Sequence, residues 1–180
     1  RRSKQRDSLS DGVTSPLATQ PIAGASPSGQ SARYEPEFES LQREVQKLEN
    51  PAGGEVNWSE VHNLAESLLG QKSKDLLIAA YYAVARLQRE GYAGLAQGIG
   101  VLQGLCANFW ETLWPEKKRM RARESALEWM IDRVNRALES DMAADPAALK
   151  ACADAMNQLA NFVNSKLEAP NPQLDGLVRA

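Results

Sequence analysis

Apolar side chains recur at alternating spacings of three and four along most of the chain, a repeat that predicts about six helices. Phe38, Leu41, Val45 and Leu48 form the first stripe, opened by Pro36 at a first helical position and stopped by Asn50-Pro51. Asn57 with Glu60 three residues on makes a capping-box-like start for the second, whose inner face is Val61, Leu64, Ala65, Leu68 and Leu69, with Gly70 at its end. The third is expected to be capped by Ser73, with Asp75 in its first turn. From Leu76 to Leu87 it is apolar on nearly every side, which a helix tolerates only when neighbours surround it, so it belongs at the centre. After Gly91 a fourth helix carries Leu95, Ile99, Leu102, Cys106, Phe109 and Leu113 as a seam for antiparallel packing and ends at Trp114-Pro115. Met120, Leu127, Met130, Ile131, Val134 and Leu138 line a fifth over 116–140. Asp145-Pro146 opens a sixth with Leu149, Cys152, Met156, Leu159, Val163 and Leu167 facing inward. No period-two stretch competes, and the predicted class is all-α: a single helical bundle with a disordered N-terminal arm.

Outside these stripes the texture changes. Residues 1–33 are rich in Ser, Pro, Gly, Gln and Thr, with few side chains to offset the entropy of ordering, and read as an arm or linker. Their basic start, Arg1-Arg2-Ser3-Lys4-Gln5-Arg6, reads as a solvated tail. Residues 34–168 form the helical domain, and 169–180, beginning around Pro170-Asn171-Pro172, a tail or linker toward a further C-terminal region. A chain of 180 residues with 43% hydrophobic content suits one core. A net charge of −2, from 21 Lys and Arg against 23 Asp and Glu, sets up no overall field for nucleic acid or an anionic membrane. No run of 18 apolar residues exists to span a bilayer. Cys106 and Cys152 fall on apolar helix faces, where free thiols in a reducing cytosol pack as small hydrophobes; a disulfide between them is the less favoured reading. The first residue is Arg1 and not Met, the mark of a fragment or a processed chain.

Side-chain chemistry argues against catalysis. Gly98-Ile99-Gly100-Val101-Leu102-Gln103-Gly104 departs from a phosphate-loop spacing and follows no strand. Gly94, Gly98, Gly100 and Gly104 instead thin one side of the fourth helix for close approach of an Ala-rich neighbour such as residues 79–85. His62 is the single histidine and has no ligand partners at metal spacing. Ser73 has no local base, and Glu35 and Glu37 lie in a helix's first turn, where the dipole favours carboxylates. No catalytic, cofactor or metal residues are assigned, and the chain reads as a non-enzyme. Lys117, Lys118, Arg119, Arg121 and Arg123 crowd a helix N-terminus and oppose its dipole, so they need compensation. Arg121 and Arg123 are assigned to structural ion pairs with Glu111, Glu116, Glu124 and, across the fold, Asp75. Lys117, Lys118 and Arg119 stand as partner contacts for an acidic protein surface. Trp110, Trp114 and Trp129 read as core or boundary aromatics, with Trp114 also a partner anchor. Tyr81 and Tyr82 point about 100° apart on a helix, so one of them reaches the rim, and Tyr82 joins the partner candidates.

Taken in order, several stretches resemble the ImpA-type N-terminal domain of TssA-like proteins of bacterial type VI secretion systems. They are Pro21-Ile22; Arg33-Tyr34-Glu35-Pro36-Glu37-Phe38-Glu39-Ser40-Leu41; Trp58 with Val61; Leu68-Leu69 with Ser73-Lys74-Asp75-Leu76; Gly91 with Gly94-Leu95; Phe109-Trp110 with Leu113-Trp114-Pro115; and Arg121-Ala122-Arg123 with Ala126-Leu127 and Trp129. Together they cover residues 21–140. The resemblance implies an all-helical, non-enzymatic, cytoplasmic scaffold module that contacts baseplate, sheath or tube proteins of a contractile tail while other domains form rings. Accessory members that cap or clamp the distal sheath share the pattern. Leu77 departs from it, since the family often carries a basic residue after Asp-Leu, and so does the polar arm ahead of the match. Self-association through glycine-thinned or aromatic helix faces is a further expected contact, and neither nucleic acid nor membrane insertion is. The alternative reading is a regulatory helical domain that binds a small apolar ligand or a nucleic acid.

Overall fold

At Gly91 the backbone takes φ 69° and ψ −159°, a region glycine enters without a Cβ penalty, and the longest helical stretch doubles back on itself there. The computed structural model describes residues 12–140 and 142–175. Its helices are α1 (Pro16–Thr19), α2 (Pro36–Gln46), α3 (Trp58–Gln71), α4 (Leu76–Phe109), α5 (Met120–Glu139) and α6 (Pro146–Asn164). Among the described residues no strand forms, only two isolated bridges. The two arms of α4, residues 76–90 and 92–109, are the third and fourth helices expected from the sequence. They are the hub of the bundle, because α1, α3, α5 and α6 all pack on them while α2 lies against α3.

Periodicity accounts for this arrangement. In the first arm Leu76, Ile78 to Ala85 and Leu87 are all buried, as an all-round apolar helix requires. Asn57 accepts from the Glu60 N–H at 3.1 Å and Asp145 from the Ala148 N–H at 3.1 Å, the caps expected for α3 and α6. Cys106 and Cys152 are buried free thiols, and the Cys152 Sγ donates to the Tyr92 carbonyl.

The N-terminal boundary differs from expectation. Residues 1–11 lie outside the described residues, but from Gly12 the chain is packed on the bundle rather than starting at 34. Ala18 is fully buried, and Ile22, Ser28 and Ala32 are also inside. Composition misleads here because this segment docks through close backbone approach and not through large apolar side chains. A Cβ on Gly104 would come within 2.5 Å of the Ala18 Cβ, and one on Gly12 within 2.3 Å of the Gln97 carbonyl oxygen. The small-residue face of the second arm therefore serves two neighbours. Gly98 meets Ala83, as the sequence suggested, while Gly104 receives α1. The C-terminal tail also begins inside the fold: a 3-10 turn, Pro172–Asp175, packs on α5 and α6, with Leu174 buried and Asn171 donating to Glu124 and Glu128. Residues 176–180 lie outside the described residues.

Lys74 ties the N-terminal segment down. Its side chain is fully buried and its Nζ donates to the carbonyls of Leu17 at 2.8 Å and Leu69 at 2.9 Å, beside the Phe109 ring. Burial lowers its pKa from 10.5 to about 8. Below that value folded and unfolded chains both hold the proton, and the folded state carries the full cost of a buried charge. Between about 8 and 10.5 the unfolded chain binds more protons, so stability rises with pH, and a neutral amine still has the two N–H groups its carbonyls use. The unfolding free energy of the wild type relative to Lys74→Met is expected to increase by on the order of 2 kcal/mol between neutral pH and pH ~10, measured by urea titration. A pH-independent difference contradicts this reading of Lys74.

Candidate functional site

The link between α3 and α4, with bridges at Ser73 and Asp75, is stitched on both sides. On one side the Gln30 N–H donates to the Lys72 carbonyl at 3.2 Å and the Lys74 N–H to the Ser28 carbonyl at 2.8 Å. On the other, the Trp114 N–H donates to the Lys74 carbonyl and the Leu76 N–H to the Trp114 carbonyl, both at 2.8 Å. Ser28 and Thr112 share a hydroxyl hydrogen bond of 2.7 Å, and the Trp114 indole N–H reaches the Gly29 carbonyl at 3.3 Å. Three stretches far apart in sequence thus meet at one seam, with Trp114 half-buried at its outer edge.

The expected site residues divide sharply around this seam. Among the described residues Asp75 forms no ion pair; it is the N-cap of α4, 4% exposed, with Oδ1 accepting from the Leu77 N–H at 2.8 Å and the Ile78 N–H at 3.4 Å. Burial raises its pKa, while those two hydrogen bonds and the Arg33 charge pull the other way. Ser73, expected as the cap, is instead fully buried with its Oγ unpartnered, because the helix begins two residues later than its side chain could serve.

Arg123 also departs from the ion-pair expectation. It is completely buried, and its guanidinium donates to three carbonyls: Pro115 from Nε at 2.7 Å, Trp110 from Nη1 at 2.9 Å and Leu113 from Nη2 at 2.7 Å. It lies 4.7 Å over the Trp110 ring. The carbonyls at and beyond the end of α4 have no helical partners and carry the negative end of the dipole, which is why a cation is fitted there. Burial lowers its pKa, with neighbouring Cys106 and Glu111 pulling the other way.

Arg121 pairs with Glu128 at 2.8 Å, a partner the sequence reading did not name, and with Glu124 at 3.8 Å. Burial pushes the Glu128 carboxyl up, but hydrogen bonds from Arg121 and Asn171 outweigh it and leave the pKa lowered. Lys117 pairs with Glu111 at 2.7 Å and Lys118 with Glu116 at 2.8 Å, so both charges are already compensated on the surface. Arg119 is exposed and makes no ion pair among the described residues. Tyr82 does not reach the rim: it is 3% exposed, stacked on His62 at 5.1 Å, with its hydroxyl accepting from Arg86 at 3.2 Å. Tyr81 is buried too, edge-on to Trp129, because α3 and α5 cover both faces of the first arm.

Over the outer edge of the seam lies a pocket of 210 Å³ walled by Ser31, Arg33, Tyr34, Trp114, Pro115, Glu116 and Arg119, with Asp75 contributing to its lining. Tyr34 is 92% exposed, the one large hydrophobic so exposed among the described residues. Elsewhere an apolar cleft of 430 Å³ opens between the second arm of α4, α5 and α6, lined by Tyr92, Val134, Leu138, Leu149 and Cys152. Among the described residues no group of three His, Cys, Asp or Glu side chains is placed to hold a metal ion, and no helix is long and apolar enough to cross a membrane.

The family model described as ImpA, N-terminal, type VI secretion system matches residues 19–132. The chain belongs to this ImpA N-terminal family. It is 29% identical over 107 residues to the type VI secretion system component TssA1 of Pseudomonas aeruginosa, a match that covers 56% of this chain and 31% of that protein. The chain therefore matches about a third of that relative's length. Its fold is that of the N-terminal domain, including the conserved ImpA_N region, of the TssA component of the type VI secretion system from Burkholderia cenocepacia. The TM-score is 0.69 at 21% identity, with 91% of this chain and 90% of the other covered.

The ImpA N-terminal match contains the whole seam, from Gly29 through Lys74 and Trp114 to Arg123, while α6 lies beyond it. Within that span the sequence reading missed Arg33 and Tyr34 as surface groups and Lys74 as a buried donor. Arg33 and Tyr34 had a visible signal, a cation and an aromatic directly before a Pro-opened helix. Lys74 had none, since only its three-dimensional neighbours set its burial.

Proposed function

We infer that this chain is a non-enzymatic, TssA-like docking module that acts in the cytoplasm during assembly of a type VI secretion system and binds baseplate, sheath or tube proteins. The observation that carries this reading is the ImpA N-terminal match over 19–132, the span that builds the seam and the pocket above it. The chemistry agrees with docking. Asp75 and Arg123, assigned in sequence to ion pairs, are consumed in capping, and Trp114 stands half-exposed beside an open Arg119.

Pull-down and native mass spectrometry of the chain against purified baseplate, sheath and tube subunits are expected to capture at least one of them. Combining Trp114→Ala with charge reversal at Lys117, Lys118 and Arg119 is expected to weaken that capture by about tenfold or more, since aromatic and Arg anchors dominate such contacts. Capture of none of these subunits contradicts the docking reading. The apolar cleft favours a second reading, a small apolar ligand, for which its volume is suitable. A rise in melting temperature with a hydrophobic metabolite mixture, lost in Leu138→Glu, supports that alternative.

A further inference from the structure

We propose that the pocket between Arg33 and Arg119 is the docking site for an acidic segment of a protein partner, taking one carboxylate between the two guanidinium groups and an apolar neighbour against Tyr34 and Trp114. This rests on the docking reading and names the chemistry of its ligand.

Charge complementarity identifies the occupant. The pocket lining contains two carboxylates and two guanidinium groups, but the carboxylates are taken. Asp75 caps α4 through its backbone hydrogen bonds, and Glu116 pairs with Lys118 at 2.8 Å. Arg33 and Arg119 are exposed, and neither forms an ion pair among the described residues. The residual charge offered to a ligand is positive, in the group best matched to a carboxylate's two oxygens.

The aromatic partner is held ready. Tyr34 closes a 3-10 turn, Ala32–Tyr34, whose Ala32 is 1% exposed and whose carbonyl accepts from the Glu35 N–H at 2.9 Å. The backbone is anchored while the ring projects into solvent, so binding has to order side chains but not the backbone beneath them. Across from it Trp114 is fixed by its indole bond to Gly29. Tyr, Trp and Arg converging on one concavity is the composition of an interface anchor.

Size and field separate a protein segment from a polyanion. A volume of 210 Å³ accommodates single side chains, two cations neutralise few phosphates, and the net charge of −2 supplies no long-range attraction to a nucleic acid.

The test is a heteronuclear NMR titration of the ¹⁵N-labelled chain with a short acetylated and amidated peptide alternating Glu and Phe. A matched peptide with Lys in place of Glu and a single-stranded oligonucleotide are titrated in parallel. The acidic peptide is expected to give saturable shifts at the Trp114 indole and the backbone of residues 31–34 and 115–119. Affinity is expected to fall about tenfold in Tyr34→Ala and further in the Arg33→Glu/Arg119→Glu double variant, while an equal charge change at the exposed cations of α5 and α6, Arg136→Glu/Lys150→Glu, keeps it within about threefold. Both arginines are exposed, and an unchanged spectrum of the buried core in the double variant verifies its fold. Absence of saturable shifts, shifts centred elsewhere, or equal response to the Lys peptide or the oligonucleotide overturns the proposal. Capture of secretion subunits that the double variant leaves unchanged also overturns it, while leaving the docking reading standing.

Discussion

Arg123→Ala is expected to lower the unfolding free energy by about 3–5 kcal/mol, the largest effect of any single charged residue in the chain. The guanidinium satisfies three carbonyls in a site with no exposure, and its removal strands all three without water to replace it. It also withdraws the cation from the Trp110 ring and from the negative end of α4. Arg123→Lys is expected to recover only a small part, because one ammonium on a flexible stem cannot span carbonyls that the planar fork reaches together. Arg121→Ala, two residues away, is the control: its pairs with Glu128 and Glu124 are formed from a side chain 67% exposed, where water and salt screen them, and its loss should be far smaller. Urea denaturation of the three variants checks this ordering, and a loss below about 1 kcal/mol in Arg123→Ala contradicts the role given to the three carbonyl bonds.

A second large effect is expected at Gly98, with a sign that helix propensity alone gets wrong. Alanine in place of a mid-helix glycine stabilises by ~1 kcal/mol when nothing else changes. At Gly98, however, an added Cβ would lie 2.6 Å from the Cα of Ala83 and 2.8 Å from its Cβ, so the arms of α4 would have to separate. Overpacking of this kind costs roughly 1–3 kcal/mol, and Gly98→Val is expected to lie at the upper end of that range. Gly70 in α3 is the comparison: its added Cβ meets only the Leu17 Cδ2, at an ordinary 3.5 Å, so Gly70→Ala is expected to stabilise by up to ~1 kcal/mol. Thermal or urea unfolding that shows the same sign at both positions contradicts the close packing of the two arms.

The helices were legible in sequence because each is set by local signals. The stripes of α2, α3, α5 and α6, the caps at Asn57 and Asp145, and the reversal at Gly91 are all read from residues within a few positions of one another. What was not legible depends on meetings over long separations. Arg123 reads as one more cation in a basic run, and only the fold turns it toward the end of α4. Lys74 and Asp75 look like surface residues of a helix start until residues 28–30 and Trp114 close over them. Ser73 and Asp75 are comparable caps by residue type, but bridges at both residues keep the chain out of the helix until Leu76 and leave Asp75 as the cap. Residues 12–33 read as a linker because Gly, Ala and Ser dock by backbone proximity, which hydrophobicity does not register. At the pocket, Trp114 and Arg119 were partner candidates read from the aromatic and basic cluster. Arg33 and Tyr34 join them only because the seam brings the N-terminal segment alongside.

Hydrogen–deuterium exchange of the chain, alone and with a captured baseplate, sheath or tube subunit, most directly tests whether this domain docks through the face above the seam. Added protection is expected at residues 31–35 and 114–119, with the far ends of α5 and α6 unchanged. Protection confined to the apolar cleft around Leu138 and Leu149, with no change near Trp114, would contradict it.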